Sequence, residues 1–325
     1  MSKRPAVGKA AAGNAKASPR PAVKNADQPK PRIGFIGVGL MGHGMAKNLV
    51  QKGFPLKILG HRNRKPVADL VRRGAKEVKT PAALAKASDI VFICAPSSVE
   101  VEDLVRRRDG LKAGGRRGLI IIDTTTSDPT STLALAAELK KAGIKFVDAP
   151  LTRTPKEAEA GKLNTLVGGD ATTFRKIKPA LEAWAENVFH VGPVGNGHKL
   201  KLINNFIAMG FVSVIAEALT TAQKSGVDIG DLNDVVSAGP ISNGIYQNVM
   251  EWIIGGDRNA HKFTLVNSRK DIRYYNRLAE SVDSTAVVGS AARQLFEIAN
   301  NLGYGDNYLP QLCDAVAEVN KVKLR

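Results

Sequence analysis

The sequence IGFIGVGLMG, residues 33 to 42, decides the fold expected for this chain. A short apolar run leads into three glycines spaced G-x-G-x-x-G, and helical spacing begins directly after them. In that setting Gly37 permits a tight turn, Gly39 lets a bound pyrophosphate approach the backbone, and Gly42 lets helix and strand pack closely. An ordinary glycine-rich turn is the alternative. The predicted dinucleotide contacts in this turn are Gly37, Gly39, Leu40, Met41 and Gly42.

Short apolar runs alternate with helical patterns through the first half of the chain. The apolar runs are continuous, which is typical of parallel strands buried on both faces. Strands are predicted at Ile33–Ile36, Leu56–Leu59, Ile90–Cys94, Leu119–Ile122 and Lys145–Val147, with helices at Met41–Lys52 and Pro129–Ala142. Two further strands, Leu163–Val167 and Val188–Val191, are expected to close the same sheet near Gly192. The fold class is therefore α/β, with a Rossmann-type doubly wound parallel sheet.

After Gly197 the pattern is helical throughout, so an all-α C-terminal part is expected. Apolar residues recur at spacings of three and four up to Gly226 and predict one long helix with this stripe: Leu200, Ile203, Ile207, Phe211, Val214, Ala218 and Ala222. Other faces of that helix are apolar too, as in a helix buried on most sides. Three regions are predicted: a disordered basic tail over 1–30, an NAD(P)-binding Rossmann domain over 31–195, and an all-helical substrate and dimerisation domain over 196–325.

The net charge of the chain is +17, of which residues 1–30 contribute +6 and the rest +11. A basic surface attracts nucleic acid, or it concentrates anionic metabolites and phosphorylated cofactors. Aromatic content of 5% gives little for base stacking, so a small anionic substrate is expected and nucleic acid is not.

Composition also bears on the compartment. No run reaches the roughly 18 consecutive apolar residues of a membrane-spanning helix, so no membrane partner is expected. The two cysteines, Cys94 and Cys313, do not imply a disulfide framework, which favours a reducing cytoplasm. A mitochondrial presequence is the minority interpretation of the tail, since prolines and glycines interrupt an amphipathic helix there.

The residues after the second strand bear on which dinucleotide binds. An NAD site usually has an acid there, which accepts hydrogen bonds from the adenosine ribose. This chain instead has His61, Arg62 and Asn63, followed by Arg64 and Lys65. Cations suit a 2′-phosphate, and arginine can bind one with both prongs of its guanidinium. We therefore expect NADP to be favoured over NAD, with a solvated helix start as the alternative interpretation.

The segment GPVGNGHKLKLINN, residues 192 to 205, places a lysine at the start of the long helix. Lys201 and Asn205 are four residues apart and share one helix face. A lysine acts as an acid or base near neutral pH only if burial or a nearby cation lowers its pKa. At the start of an apolar helix facing a cleft, Lys201 could give a proton to a carbonyl oxygen as hydride arrives, while Asn205 orients that oxygen. The alternative is that both are ordinary surface residues.

A third candidate site is the loop after the strand at Lys145–Val147, because open α/β sheets bind ligands at the carboxyl ends of their strands. Thr152, Arg153 and Thr154 offer hydroxyls and a planar cation suited to a carboxylate, sulfonate or phosphate. An arginine on a plain surface loop is the alternative. The five histidines are scattered without metal-ligand spacing, so no metal is expected.

In several of its motifs the chain resembles the β-hydroxyacid dehydrogenase family. That family includes 3-hydroxyisobutyrate dehydrogenase, tartronate semialdehyde reductase and glyoxylate/succinic semialdehyde reductase, and it is related to 6-phosphogluconate dehydrogenase. The resemblance covers residues 32 to about 320. The matching motifs are GFIGVGLMGHGMAKNL at 34–49, CAPSS at 94–98, DTTTSDP at 123–129, DAPLTRT at 148–154, GNGHKLKLINN at 195–205 and the pair Lys270-Asp271.

The resemblance implies roles for individual residues. Lys201 would be the catalytic acid and base, and Asn205 its substrate-orienting partner, with Asn204 beside it in the substrate site. The family's Asn-Arg-Thr signature for NADP is present only in part, as His61-Arg62-Asn63. Besides the glycine turn, the implied cofactor contacts are His61, Arg62, Asn63, Ala95, Pro96, Thr126 and Lys270.

One departure from the family concerns the substrate. Where most members have Ser-Gly-Gly, this chain has Thr152-Arg153-Thr154, which is similar to sulfolactaldehyde reductase, an enzyme that handles a sulfonate. Ala208 replaces a serine associated with sulfonate binding there, so the substrate stays open.

We expect an NAD(P)-dependent oxidoreductase that interconverts a small anionic β-hydroxy acid and its semialdehyde, as a homodimer or homotetramer. Lys201 counts against the nearest alternative, an imine reductase of the same architecture, because that group usually lacks this lysine. A basic nucleic-acid-binding protein is the alternative from another class.

Overall fold

A computed structural model describes residues 29–324 of the chain. The prediction for the tail over 1–30 therefore lies almost wholly outside the described residues. A parallel sheet of six strands forms the first half, in the order β3-β2-β1-β4-β5-β6. Its strands are β1 (Ile33–Ile36), β2 (Leu56–Leu59), β3 (Lys76–Val78), β4 (Ile90–Ile93), β5 (Ile120–Asp123) and β6 (Lys145–Asp148).

Helices connect these strands and cover both faces of the sheet: α1 (Gly42–Gln51), α2 (Arg64–Arg72), α3 (Pro81–Lys86), α4 (Ser98–Arg106), α5 (Leu111–Gly114) and α6 (Pro129–Lys141). Successive residues of a strand point to opposite faces. On one face Phe92 stacks with Phe35 and meets Trp184 edge-on, with ring centroids 5.8 and 6.0 Å apart. Val91 and Ile93 are buried in the core on the other face. This double burial explains the continuous apolar strands and confirms the predicted fold class.

The sequence pattern does not predict β3. Its first two residues, Lys76 and Glu77, are charged and exposed at the edge of the sheet, and only Val78 is partly buried. An edge strand needs no apolar face of its own, because its backbone hydrogen bonds to β2 hold it in place.

A separate three-stranded sheet follows: β7 (Leu151–Thr152), β8 (Leu163–Val167) and β9 (Ala185–His190), with α7 (Pro155–Ala160) and α8 (Ala171–Leu181) between its strands. The prediction that the last two strands close the main sheet is therefore wrong. β7 and β8 pair antiparallel, β8 and β9 pair parallel, and an isolated bridge between Asp148 and Gly168 links this sheet to the end of β6. Apolar content predicts that a segment forms a strand, but not which other strand it pairs with.

From Asn196 onward the described chain is helical: α9 (Asn196–Ser225), α10 (Ile229–Ser237), α11 (Gly244–Ile253), α12 (Leu265–Glu280), α13 (Val287–Asn301) and α14 (Leu312–Val319), with a 3₁₀ turn at Leu309–Gln311. These helices share one apolar core, to which α9 contributes Met209, α11 contributes Trp252 and α13 contributes Phe296.

The long helix α9 is buried mainly along one side, whereas its composition predicts burial on most sides. Leu202, Met209, Val212, Ala216 and Leu219 are buried, whereas five members of the predicted stripe are 40% to 64% exposed: Leu200, Ile203, Ile207, Phe211 and Val214. Several faces of α9 are apolar, so spacing alone cannot choose the buried one. Among the described helices, α9 alone has the length and composition to cross a membrane, a test that core helices of soluble proteins also pass.

Candidate active site

The turn between β1 and α1 has the backbone geometry of a phosphate cradle. Gly37 has a φ of 90°, and a Cβ there would lie 1.9 Å from the carbonyl oxygen of Cys94 at the end of β4. A Cβ at Gly42 would lie 2.0 Å from the carbonyl oxygen of Gly37, whereas Gly39 faces open space. The N-cap residue of α1, Met41, makes no side-chain hydrogen bond to the N-terminus of this helix, the end that favours an anion. These residues fit a dinucleotide pyrophosphate, and the predicted contacts Leu40 and Met41 lie in the same turn.

The structure gives Arg64 a different partner from the predicted 2′-phosphate. Its Nη1 donates to Oε1 of Glu77 at 2.8 Å and its Nη2 to Oε2 at 2.7 Å, a bidentate pair. Hydrogen bonds and the positive charge of Arg64 lower the pKa of Glu77, so the carboxylate is ionised at neutral pH. The sequence showed no acid after β2, but the neighbouring strand β3 supplies one.

The other predicted ribose contacts remain at the surface of this end of the sheet. Asn63 caps α2, its Oδ1 accepting a hydrogen bond from the N–H of Lys65 at 3.2 Å. His61, Arg62 and Lys65 expose their side chains to solvent. Arg62 and Lys65 form no ion pair with any residue between 29 and 324 that the structure describes. Both side chains are therefore free to contact a 2′-phosphate.

Lys270 joins the loops that leave the carboxyl ends of β4 and β5. Its Nζ donates to the carbonyl oxygen of Pro96 at 2.9 Å and to that of Thr126 at 2.8 Å. The N–H of Ala95 donates to Oγ1 of Thr125 at 3.0 Å, which ties the two loops directly. The predicted cofactor contacts thus lie together at the carboxyl ends of β4 and β5, beside the glycine turn: Ala95, Pro96, Thr126 and Lys270.

Lys201 lies near the start of α9, close to a buried amide and carboxylate. Burial lowers the pKa of Lys201 from its ordinary 10.5 to about 8, with the charge of Asp271 raising it and that of Lys270 lowering it. Asn205 is buried, and its Nδ2 donates to Oδ2 of Asp271 at 2.7 Å. Asn204 is exposed, with its Nδ2 3.3 Å from Oδ1 of Asn205. The ammonium group can therefore lose or regain a proton near neutral pH beside an amide fixed one turn away.

Asp148, the last residue of β6, fixes the start of α9. Its side chain is fully buried, and its two oxygens accept from the N–H of Gly195 at 2.7 Å and the N–H of His198 at 2.8 Å. Burial raises the pKa of this carboxyl, which His198 and these N–H groups oppose. A Cβ at Gly197 would lie 2.3 Å from the carbonyl oxygen of Leu166. The carboxylate stabilises the N-terminus of α9 and sets the position of Lys201 one turn later.

The loop after β6 does not offer a free guanidinium to a substrate. Arg153 has a φ of 78°, and its Nη1 donates to the carbonyl oxygen of Lys162 and to the carboxylate of Glu186. Glu186 therefore neutralises the cation that was predicted to bind the substrate anion. The sequence gave no sign of this partner, because it lies 33 residues further along the chain.

The two threonines of the same loop form hydrogen bonds with residues of the small sheet and of helix α7. Oγ1 of Thr152 accepts from Nδ2 of Asn164 at 3.1 Å. Thr154 caps α7 and forms a capping box with Glu157, whose Oε2 accepts from the N–H of Thr154 at 3.0 Å. The hydroxyl of Thr154 is thus used within the loop, since it also donates to Glu157, whereas the O–H of Thr152 can still donate to a substrate anion.

His261, which the sequence analysis did not single out, adds a polar group near Lys201. Burial lowers its pKa, and the charge of Lys201 lowers it further. Nδ1 of His261 lies 3.1 Å from Nδ2 of Asn248, so the amide donates to the unprotonated ring nitrogen and Nε2 carries the proton. A lone histidine in a loop gives no sequence signal for such a role. No group of three or more His, Cys, Asp or Glu side chains that could hold a metal occurs among residues 29–324.

Two known domain families match consecutive parts of the chain. The NAD-binding domain of 6-phosphogluconate dehydrogenase matches residues 32–192, which contain the glycine turn. The family described as NAD-binding of NADP-dependent 3-hydroxyisobutyrate dehydrogenase matches residues 195–313, which contain Lys201, Asn205 and Lys270.

Relatives of established name are similar over most of the chain. Glyoxylate/succinic semialdehyde reductase 2, chloroplastic, of Arabidopsis thaliana is 30% identical over 284 residues, which are 87% of this chain and 79% of that protein. The 2-(hydroxymethyl)glutarate dehydrogenase of Eubacterium barkeri is 30% identical over 274 residues, 84% of this chain and 91% of that protein. The cytokine-like nuclear factor N-PAC of Gallus gallus is 30% identical over 277 residues, 85% of this chain and 50% of that protein.

Solved structures agree with the architecture. The 3-hydroxyisobutyrate dehydrogenase of Mycobacterium tuberculosis superposes with a TM-score of 0.78 at 25% identity, covering 88% of this chain and 99% of that one. An imine reductase variant from Myxococcus stipitatus shares the fold at 21% identity, with a TM-score of 0.59 over 88% of this chain and 99% of that one. The family matches span both the glycine turn and the lysine helix, and the chain belongs to the β-hydroxyacid dehydrogenase family as an NAD(P)-dependent hydroxyacid dehydrogenase.

Proposed function

We propose that this dehydrogenase interconverts a small anionic β-hydroxy acid and its semialdehyde, with Lys201 as the general acid and base. The observation that carries the proposal is the position of Lys201 on α9, one turn before the buried Asn205 amide that Asp271 holds, where burial lowers the pKa of Lys201 to about 8. Both the ammonium and the amine are then present near neutral pH, as proton transfer in both directions requires. The names of two relatives, a glyoxylate/succinic semialdehyde reductase and a hydroxymethylglutarate dehydrogenase, support a carboxylate substrate.

Proton transfer follows from the positions of three side chains. In reduction the ammonium of Lys201 donates a proton to the carbonyl oxygen as the carbonyl carbon accepts hydride, and in oxidation the amine takes the hydroxyl proton. The bound dinucleotide supplies or accepts the hydride. Asp271 takes one N–H of the Asn205 amide, so the second N–H can hold the reacting oxygen in place. Exchange with solvent restores Lys201 after each turnover.

An anionic substrate suits the charge of the protein, which is +11 without residues 1–30. Arg153 adds no free charge to the site, because Glu186 neutralises it. We propose NADP as the preferred cofactor, because Arg62 and Lys65 are exposed at the end of β2 and, unlike Arg64, form no ion pair with a described residue.

We also propose that the enzyme is a homodimer that covers the exposed stripe of α9. The stripe runs from Leu200 to Val214 and is about 20 Å long at the helical rise per residue. Monomeric proteins rarely expose a continuous apolar patch of this kind. In a two-fold dimer the same patch on each copy covers the other. A homotetramer would need a second contact surface.

Substitution of Lys201 tests the catalytic proposal. Lys201→Ala is expected to lower kcat about 10²- to 10⁴-fold, because general acid and base catalysis contributes that much, while the dissociation constant for the dinucleotide stays nearly unchanged. Lys199→Ala is the matched control, since it removes a lysine two positions away on the same helix without touching the proposed site. Full turnover in the Lys201 variant would contradict the proposal.

A substrate panel tests the rest of the proposal. The wild-type protein would be assayed with NADPH and NADH against succinic semialdehyde, glyoxylate, tartronate semialdehyde and sulfolactaldehyde, and against a cyclic imine. Turnover of at least one of the aldehydes is expected. Turnover of the imine alone would favour the imine reductase alternative.

A further inference from the structure

The ion pair between Arg64 and Glu77 packs against the backbone at the carboxyl end of β2. Glu77 is paired with Ile58 across the β2-β3 ladder, and Arg64 begins α2. A Cβ on Gly60 would lie 2.1 Å from Oε1 of Glu77 and 2.5 Å from Nη1 of Arg64. Because Gly60 has no side chain, the ion pair packs directly against the backbone of this residue, which is the first after β2.

That position is where a dinucleotide-binding fold places the adenosine ribose. An acid there accepts hydrogen bonds from the 2′-hydroxyl of NAD, and a cation there binds the 2′-phosphate of NADP. Here both groups are present and neutralise each other, with exposed fractions of 60% for Arg64 and 34% for Glu77. The carboxylate comes from β3, outside the segment that usually carries the selecting residue.

We propose that Glu77 limits the preference of the enzyme for NADP by holding Arg64 and by placing a carboxylate beside the ribose 2′ position. Selection for the 2′-phosphate then depends on Arg62 and Lys65, and the Arg64–Glu77 pair sets how strong that selection is. Removing Glu77 and removing Arg64 have opposite effects on the preference for NADP. Loss of the carboxylate frees a guanidinium for the phosphate, whereas loss of the guanidinium leaves an unpaired carboxylate that repels the phosphate and accepts from a hydroxyl.

This inference rests on the proposed function because it concerns the same cofactor site, so its test uses binding rather than turnover. Adenosine 2′,5′-bisphosphate and adenosine 5′-monophosphate differ only in the 2′-phosphate, and calorimetry gives a dissociation constant for each. The quantity of interest is the ratio of the two constants. It would be measured for the wild-type protein, Glu77→Gln, Arg64→Gln and the double variant at low ionic strength, where surface charges are least screened.

Glu77→Gln is expected to shift the ratio about tenfold toward the bisphosphate, and Arg64→Gln about tenfold toward the monophosphate. The double variant should return close to the wild-type ratio. Glu182→Gln is the matched control, since it removes the same charge from a surface pair with Lys178 on α8 and should leave the ratio unchanged. Thermal melting of each variant shows that the fold is intact.

Three results would overturn the inference: an unchanged ratio in both single variants, a shift of both in the same direction, or an equal shift in the Glu182 control. Failure of the wild-type protein to bind either nucleotide would contradict the cofactor site itself, and hence the proposed function. The two failures are therefore distinguishable.

Discussion

Raising the pH from 7 to 9 is expected to slow aldehyde reduction and to speed alcohol oxidation. Reduction needs the ammonium form of Lys201, and oxidation needs the amine. With a pKa of about 8, the ammonium fraction falls from about 91% at pH 7 to about 9% at pH 9. We therefore expect kcat/KM for reduction to fall about tenfold over this range, and kcat/KM for oxidation to rise by the same factor. A lysine with the ordinary pKa of 10.5 would leave reduction almost flat.

The charges around Lys201 give the same prediction a second test. The charge of Asp271 raises the pKa of Lys201. Asp271→Asn keeps an oxygen for the amide of Asn205 but removes that charge, so the inflection in the pH profile should move to lower pH. The measurement is kcat/KM across the pH range in both directions, with the residual rate of Lys201→Ala as the control. A flat wild-type profile, an inflection that persists in Lys201→Ala, or a move to higher pH in Asp271→Asn would refute the reasoning.

Two further predictions concern the glycine turn and the α9 stripe. Gly37→Ala forces a Cβ against the carbonyl oxygen of Cys94, so calorimetry should show that dinucleotide affinity is largely lost. Gly39→Ala, at a position that faces open space, should fold normally. Wild-type affinity in the Gly37 variant would refute the proposal that this turn binds the pyrophosphate. Phe211→Glu places a charge in the proposed dimer contact and should give a monomer by light scattering. Val287→Glu, at a residue 72% exposed on α13, should leave the assembly unchanged, and a monomeric wild-type protein would contradict the dimer.

The central strands β1 and β4 could be predicted because they are buried on both faces and therefore carry no polar side chain. All four residues of β1 and all four of β4 are buried, so the sequence shows them as unbroken runs. The glycine turn could be predicted for a similar reason, since φ at Gly37 and the space at Gly42 admit no side chain. Where the backbone geometry admits only glycine, the sequence pattern predicts the local structure.

Pairings between distant segments could not be predicted. Glu77 on β3 neutralises Arg64 at the start of α2, and Glu186 on β9 neutralises Arg153, which follows β7. In the sequence each arginine therefore looked free to bind an anion. The buried face of α9 could not be predicted either, because Ile207 and Phe211 on one side and Met209 and Val212 on the other are equally apolar.

In the candidate site too, local features could be predicted from the sequence, whereas contacts between distant segments could not. The spacing of Lys201 and Asn205 predicted a shared helix face, because helical periodicity is local. The carboxylate of Asp271, which fixes the Asn205 amide, comes from α12, and the buried Asp148 that anchors α9 comes from β6. The resemblance to a family named Lys270 and Asp271 as a pair, but their contacts depend on how the helices pack against the sheet.

A structure of the protein with bound NADP⁺ and a β-hydroxy acid would test the central claim most directly, through the distance from Nζ of Lys201 to the substrate hydroxyl oxygen. We predict a hydrogen bond of roughly 2.6–3.2 Å, with the Asn205 amide on the same oxygen. A hydroxyl held by another side chain, with Nζ of Lys201 directed into solvent, would contradict the account.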